Sequence, residues 1–259
     1  MTIRPAHQSV RPSPVFLLVV AVTAAGAVLA WLAQSSRTPM AYVGVFIFVI
    51  AGWIVSLCFH EFGHAFTAWR YGDHDVAVRG YLTLNPFKYA NPLLSLVLPV
   101  LITLIGGIGL PGGAVWVRTS FMTDRQKTIV SLAGPFMNVV LAVILLVATR
   151  LFFDPAHAVF WAAVAFLGFL QITGALLNLL PIPGLDGYGA LEPHLSPETR
   201  RALEPAKQWA FFVFLLLFVF SPLNQYFFAV VGWFFDLSGV NSDLIAIGYS
   251  LTRFWSAWM

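Results

Sequence analysis

The chain has 259 residues, 59% hydrophobic and 15% aromatic, with only 10% charged and a mean hydropathy of +0.83. Those values exclude a soluble globular domain and point to an all-α, multi-pass protein of the cell membrane. A formal charge of +3 and a pI near 9.2 imply no nucleic-acid partner, because basic loops are what membrane topology itself requires.

The first apolar run, Val15 to Ala33, follows Arg4 and Arg11. It is longer than the apolar region of a signal peptide and ends in Gln34-Ser35-Ser36-Arg37 without a clear cleavage pattern, so it reads as an N-terminal anchor helix, 15–33. The second run, Ala41 to Trp69, is 29 residues long, enough to cross a bilayer with tilt. Cys58 lies within it; as the lone cysteine it excludes an internal disulfide and reads as ordinary packing.

The same run contains His60-Glu61-Phe62-Gly63-His64. At about 3.6 residues per turn, His60 and His64 lie one above the other on a single helix face, where they can bind one metal ion with Glu61 beside its open position. Ionisable groups inside an apolar span are costly and mark a functional site by default. Two imidazoles leave a catalytic zinc one protein ligand short, so a third donor is expected elsewhere.

A polar interval, Arg70 to Asn91, follows and holds Asp73, His74 and Asp75, weighed as a second metal site but read as loop. Next is an apolar but broken segment, Leu93 to Gly113, interrupted by Pro99, Gly106, Gly107, Gly109, Pro111, Gly112 and Gly113. Further apolar runs are Ile129 to Val147, Val159 to Leu180, and a C-terminal segment, 209–237, which Pro222 splits. Together these predict about six transmembrane helices in a single integral-membrane domain over 1–259, with a core at 41–190. Directly after the fifth apolar run the chain reads Asn178-Leu179-Leu180-Pro181-Ile182-Pro183-Gly184-Leu185-Asp186-Gly187. Two prolines stop the helix and place Asp186 on irregular backbone that can line a cavity. Asp186 is the candidate third ligand; the competing reading is a carboxylate that caps a turn at the interface.

Three stretches in this order resemble the site-2 protease family of intramembrane zinc metalloproteases: His60 to His64, Ser131-Leu132-Ala133-Gly134-Pro135-Phe136-Met137-Asn138, and Asn178 to Gly187, which follows the family's Asn-x-x-Pro-x-x-x-Leu-Asp-Gly pattern. The resemblance implies that His60, His64 and Asp186 hold one Zn2+ ion, that Glu61 is the catalytic base, and that Asn178 binds the substrate backbone or a developing oxyanion. It also implies a substrate, a single-pass membrane protein cut in or near its transmembrane helix as part of regulated intramembrane proteolysis. The PDZ or CBS module of many relatives has no stretch of sufficient length here, so regulation through one is not implied.

Topology bears on the same question. Three full crossings between the second run and Asp186 would leave the ligands on opposite sides of the membrane. The Gly- and Pro-rich Leu93 to Gly113 segment is therefore expected to be re-entrant or β-like, between the second and third full crossings. Then Arg4, Arg11, Arg70, Arg79, Lys88, Arg118, Arg125, Lys127, Arg200, Arg201 and Lys207 share the cytoplasmic side, eleven against Arg37 and Arg150 outside. Full crossing gives six inside and seven outside. The first arrangement places the active site toward the cytoplasm. The broken Leu93 to Gly113 segment, or strand-like backbone in the neighbouring Val76 to Leu84 and Ala114 to Arg118 stretches, is expected to receive an unwound peptide by edge pairing.

Gly52, Ser56, His60 and His64, then Gly134, Asn138 and Ala142, then Gln171, Gly174, Ala175 and Asn178 form stripes that permit close helix contact. His7, His74, His157 and His194 read as solvated. Two rivals are a catalytically silent membrane binding protein, against which the intact Glu61 speaks, and a zinc transporter, which would need polar groups through the full membrane depth.

Overall fold

The computed structural model describes residues 10–33, 35, 36, 38–89, 115–207, 223–253 and 255. Ten α-helices are present among them: α1 (Pro14–Leu32), α2 (Pro39–Arg70), α3 (Asp75–Val78), α4 (Pro86–Tyr89), α5 (Asp124–Phe152), α6 (Ala158–Asn178), α7 (Asp186–Leu191), α8 (Pro197–Lys207), α9 (Leu223–Asp236) and α10 (Asp243–Thr252). Four apolar helices, counting α6 from Pro155, are long enough to cross a membrane, at the positions of four predicted runs. The Leu93 to Gly113 segment lies outside the described residues, as do residues 209–222 of the C-terminal run. The remainder of that run forms α9, which starts directly after Pro222.

Local chemistry sets where the long helices begin. Ser13 and Thr38 accept from the amides of Phe16 and Ala41, and each is followed by a proline at the first helical position, where its missing N–H costs nothing. Thr123 and Gln126 form a capping box at the start of α5, with Asp124 in the first turn. Asp154 caps the short 3-10 turn Pro155–His157 that leads into α6.

α1 and α2 form an antiparallel hairpin whose axes meet at glycine. A Cβ on Gly26 would stand 2.5 Å from the Phe48 nitrogen, and one on Gly44 would stand 2.6 Å from the Ala30 nitrogen. α5 runs antiparallel to α2, since His64 meets Val130 while the earlier His60 meets Asn138. α6 runs antiparallel to α5, because Gly168 packs on Leu146 and Gln171 reaches Asn138. The C-terminal end of α2, the N-terminal end of α5 and the C-terminal end of α6 therefore lie at one end of the bundle. The chain leaves α2 and enters α5 on that same side, as the sequence argument about converging ligands requires.

Two features depart from expectation. Val76 to Leu84 is not strand-like: it folds into α3 and a 3-10 turn, Tyr81–Thr83, because Gly80 and Leu84 adopt positive φ and close tight turns. Among the described residues no strand forms, and Val115 to Thr119 is irregular. The polar helix α8 and the short α10 have no counterpart in the apolar runs; α10 packs its Gly248 onto the backbone of Ala162 in α6. That contact, with Leu244 and Phe235, completes a core around α6, the most enclosed of the long helices.

Candidate active site

His60 and His64 stand one helical turn apart toward the C-terminal end of α2, both buried, with their Nε2 atoms 3.1 Å from each other. The Asp186 carboxylate reaches the pair from the other side: Oδ2 is 3.2 Å from His60 Nε2 and Oδ1 is 3.3 Å from His64 Nε2. The three donors predicted from distant parts of the chain thus lie within 4.8 Å of one another.

Asp186 arrives there by a specific turn. α6 ends at Asn178, Pro181 and Pro183 prevent its continuation, and Gly184 takes φ +98°, which favours glycine. Leu185 is extended and Asp186 opens α7. Gly187 packs directly on the Leu179 carbonyl, so a Cβ there would collide with the turn. Thr128 holds the far end of α7 to α5, with its hydroxyl 2.9 Å from the Ala190 carbonyl and 2.9 Å from His194 Nε2. Asp186 opens α7 but no capping hydrogen bond forms there, and its carboxylate is directed at the imidazole pair instead of a turn.

The backs of the imidazoles decide what their fronts offer. His64 Nδ1 is 2.7 Å from the Val130 carbonyl, which only accepts, so Nδ1 donates and a neutral His64 presents a bare Nε2 lone pair. His60 Nδ1 meets Asn138 Oδ1 at 2.6 Å. Two nitrogen lone pairs and a carboxylate facing one another repel unless a positive charge lies among them. Burial pushes the Asp186 carboxyl up, but imidazoles that carry a proton on Nε2 supply such a charge, and in that state they outweigh burial and hold the carboxyl below the usual carboxylate range. Two imidazoles and one carboxylate with a remaining open position form the donor set of a catalytic zinc.

Gly134 makes that arrangement possible. A Cβ on it would collide with His64 Nε2 and stand 2.6 Å from His60 Nε2, so only a glycine on α5 leaves the donors exposed to one another. Gly63 does the same for the helix contact, where a Cβ would lie 2.7 Å from the Ala133 carbonyl. In the sequence the Gly134, Asn138 and Ala142 stripe speaks only of helix packing.

Glu61 is 2% exposed, and its Oε2 accepts from the Val115 amide at 3.1 Å. The strap from Val115 onward is anchored further along: the Arg118 amide donates to Asp73 Oδ2 at 2.7 Å, and the Arg118 guanidinium pairs with Asp75 Oδ2 at 2.8 Å. Asp73 is buried and also accepts from the Asp75 amide. The Asp73-His74-Asp75 group is therefore a fastener for this strap and contributes no metal cluster among the described residues. Tyr89, close to Glu61 and Cys58, has its phenol pushed up first by burial and then by those two groups, and it donates to the Tyr81 carbonyl.

Asn178, the last residue of α6, is half-buried and donates to the Gly174 carbonyl at 3.0 Å; it lies outside the three-donor cluster. His157 stacks on Trp31, and His74 and His194 are exposed. His7 lies outside the described residues.

Comparison with known proteins gives the same direction. No family model matches the chain, and no solved structure does. The "Putative zinc metalloprotease Rip2" of Mycolicibacterium smegmatis is 69% identical over 258 residues, 100% of both chains. The protein of that name from Mycobacterium tuberculosis is 65% identical over 252 residues, 97% of each chain. YwhC of Bacillus subtilis, which carries the same description, is 35% identical over 181 residues, 67% of this chain and 80% of its own. Full-length identity at this level, to proteins named as zinc metalloproteases and on a bundle whose four long apolar helices mark a membrane protein, means that the chain belongs to the site-2 protease family.

Proposed function

We propose that the protein is an intramembrane zinc metalloprotease with His60, His64 and Asp186 as ligands of one zinc ion, Glu61 as general base and a cytoplasm-facing site, hydrolysing peptide bonds in or near the transmembrane helix of single-pass membrane proteins in a regulatory cleavage. The observation that carries the reading is the meeting of two imidazole Nε2 atoms and a carboxylate beside a buried Glu61.

When bound, zinc supplies Lewis-acid polarisation of a peptide carbonyl and acidifies water. Glu61 takes up a proton from the attacking water and passes it to the leaving nitrogen. Its burial keeps bulk water from competing for that proton, and the Val115 amide fixes the carboxylate's direction until substrate enters. Asn178 spends one amide N–H on Gly174, which leaves the second for a substrate carbonyl or oxyanion at the mouth of the turn. A helical substrate hides its peptide bonds in internal hydrogen bonds, so it must unwind locally before attack. The Gly- and Pro-rich 93–113 segment remains our proposal for a re-entrant element beside the site, and the C-terminal run for the last of about six crossings.

The test is to express wild type and Glu61→Gln beside a panel of single-pass substrates and to follow zinc-dependent release of their cytoplasmic portions. Release by wild type and none by the variant supports the reading. Equal release by both, or zinc flux across proteoliposomes without any cleavage, overturns it.

A further inference from the structure

His64 and His60 are held by different means. The partner of His64 Nδ1 is a backbone carbonyl, which has one chemical identity and cannot be reversed. The partner of His60 Nδ1 is the Asn138 side-chain amide, 2.6 Å away, and Asn138 Nδ2 in turn donates to Gln171 Oε1 at 2.8 Å. Three helices contribute, α2, α5 and α6, and both amides are buried, Asn138 at 8% exposure and Gln171 at 1%. A buried amide in an otherwise apolar spanning helix costs stability unless it is partnered, so a paired chain of two that ends on an imidazole calls for an explanation.

We infer that Asn138 and Gln171 form a two-amide relay that fixes the tautomer of His60 and thereby holds its Nε2 free of a proton for the metal. This rests on the zinc reading above. The physical step is a choice between two orientations. With Gln171 Oε1 accepting, Asn138 must turn Nδ2 toward it and Oδ1 toward His60, so Nδ1 carries the proton and Nε2 a lone pair. If both amides were reversed, Nδ1 would accept and Nε2 would carry hydrogen, aimed at His64 Nε2 3.1 Å away and Asp186 Oδ2 3.2 Å away. That proton would occupy the direction the metal needs. Asn138 and Gln171 are thus positioning residues, touching neither substrate nor metal.

The experiment uses the full chain in detergent and measures Zn2+ affinity by chelator competition, together with the ligand-field spectrum of bound Co2+ and the thermal unfolding of the metal-free protein. Asn138→Leu is expected to weaken zinc binding by about 10- to 100-fold, the usual effect of losing a ligand's outer partner. Gln171→Leu weakens it in the same direction by less, and the double variant is no worse than Asn138→Leu, because the second amide acts only through the first. Asn138→Asp retains affinity within a few-fold, since a carboxylate accepts from Nδ1 in either orientation.

Wild-type affinity in both single variants overturns the relay. Losses that add in the double variant, with Asn138→Asp as weak as Asn138→Leu and unfolding temperatures falling in step, overturn it in favour of packing. If Asn138→Leu fails to fold, Gln171→Leu and Asn138→Asp decide. Wild type that binds no zinc removes the zinc reading itself, which these variant comparisons would not.

Discussion

The amide of Val115 donates to the carboxylate of Glu61 across 3.1 Å, joining a strap fastened by Asp73 to the one acid on the helix that also holds His60 and His64. The contact gives Glu61 a fixed direction although no other element of the described structure supplies a donor to it. It also means that the environment of Glu61 depends on groups in the polar interval after α2.

Replacing Glu61 by Gln keeps an oxygen for the Val115 amide but removes the base. Zinc content and unfolding temperature should match wild type, while peptide cleavage falls by about 10²- to 10⁴-fold. Metal analysis beside a cleavage assay checks both halves; loss of metal in this variant would assign Glu61 a ligand role instead.

Gly134→Ala places a methyl group against both Nε2 atoms. Zinc affinity should fall by more than about tenfold, because a displaced ligand loses an interaction of at least ~1.4 kcal/mol. Helix propensity moves the other way, since alanine is favoured over glycine by about 1 kcal/mol in a helix interior. Circular dichroism should therefore show unchanged helix content in a protein that no longer retains metal.

Asp73→Ala leaves the amides of Arg118 and Asp75 without their acceptor in a partly buried place. The cost should be about 1–3 kcal/mol, read as a lower unfolding temperature. Limited proteolysis should cut sooner near Val115 to Thr119. Asp75→Ala breaks only a pair in which the Arg118 and Asp75 side chains are 60% and 46% exposed, and should have little effect on stability.

Asp186→Asn and Gly187→Ala separate charge from position. The first retains the turn and removes the anionic donor; the second retains the carboxylate but forces the backbone away from the Leu179 carbonyl. Both should lose zinc, and only Gly187→Ala should also lower the unfolding temperature of the metal-free protein, as differential scanning fluorimetry would show.

Much was legible in the sequence because its physics is local. Apolar runs long enough to span a bilayer had to become helices, since lipid leaves backbone groups no other partner. The helices α1, α2 and α6 end close to the predicted limits, while α5, Asp124–Phe152, extends well past Ile129 to Val147 at both ends, its capping box and first polar turn lying outside the apolar run. The four-residue spacing of His60 and His64 fixed a shared face, and the prolines before Asp186 fixed a break that frees it from α6. Other features depended on residues that meet only in the folded chain. Nothing near Gly134 in the sequence reveals that its absent Cβ leaves room for two imidazoles on another helix, and Asn138 and Gln171 read as stripe residues until α2, α5 and α6 bring them together. The strand-like reading of Val76 to Leu84 failed for the same reason in reverse: β-branched residues favour extended backbone only where a partner edge exists, and here Gly80, Leu84 and the buried Val76 and Leu82 drew the segment into turns against α2. Spacing along the chain determined the donors, and packing between helices decided which atoms they present.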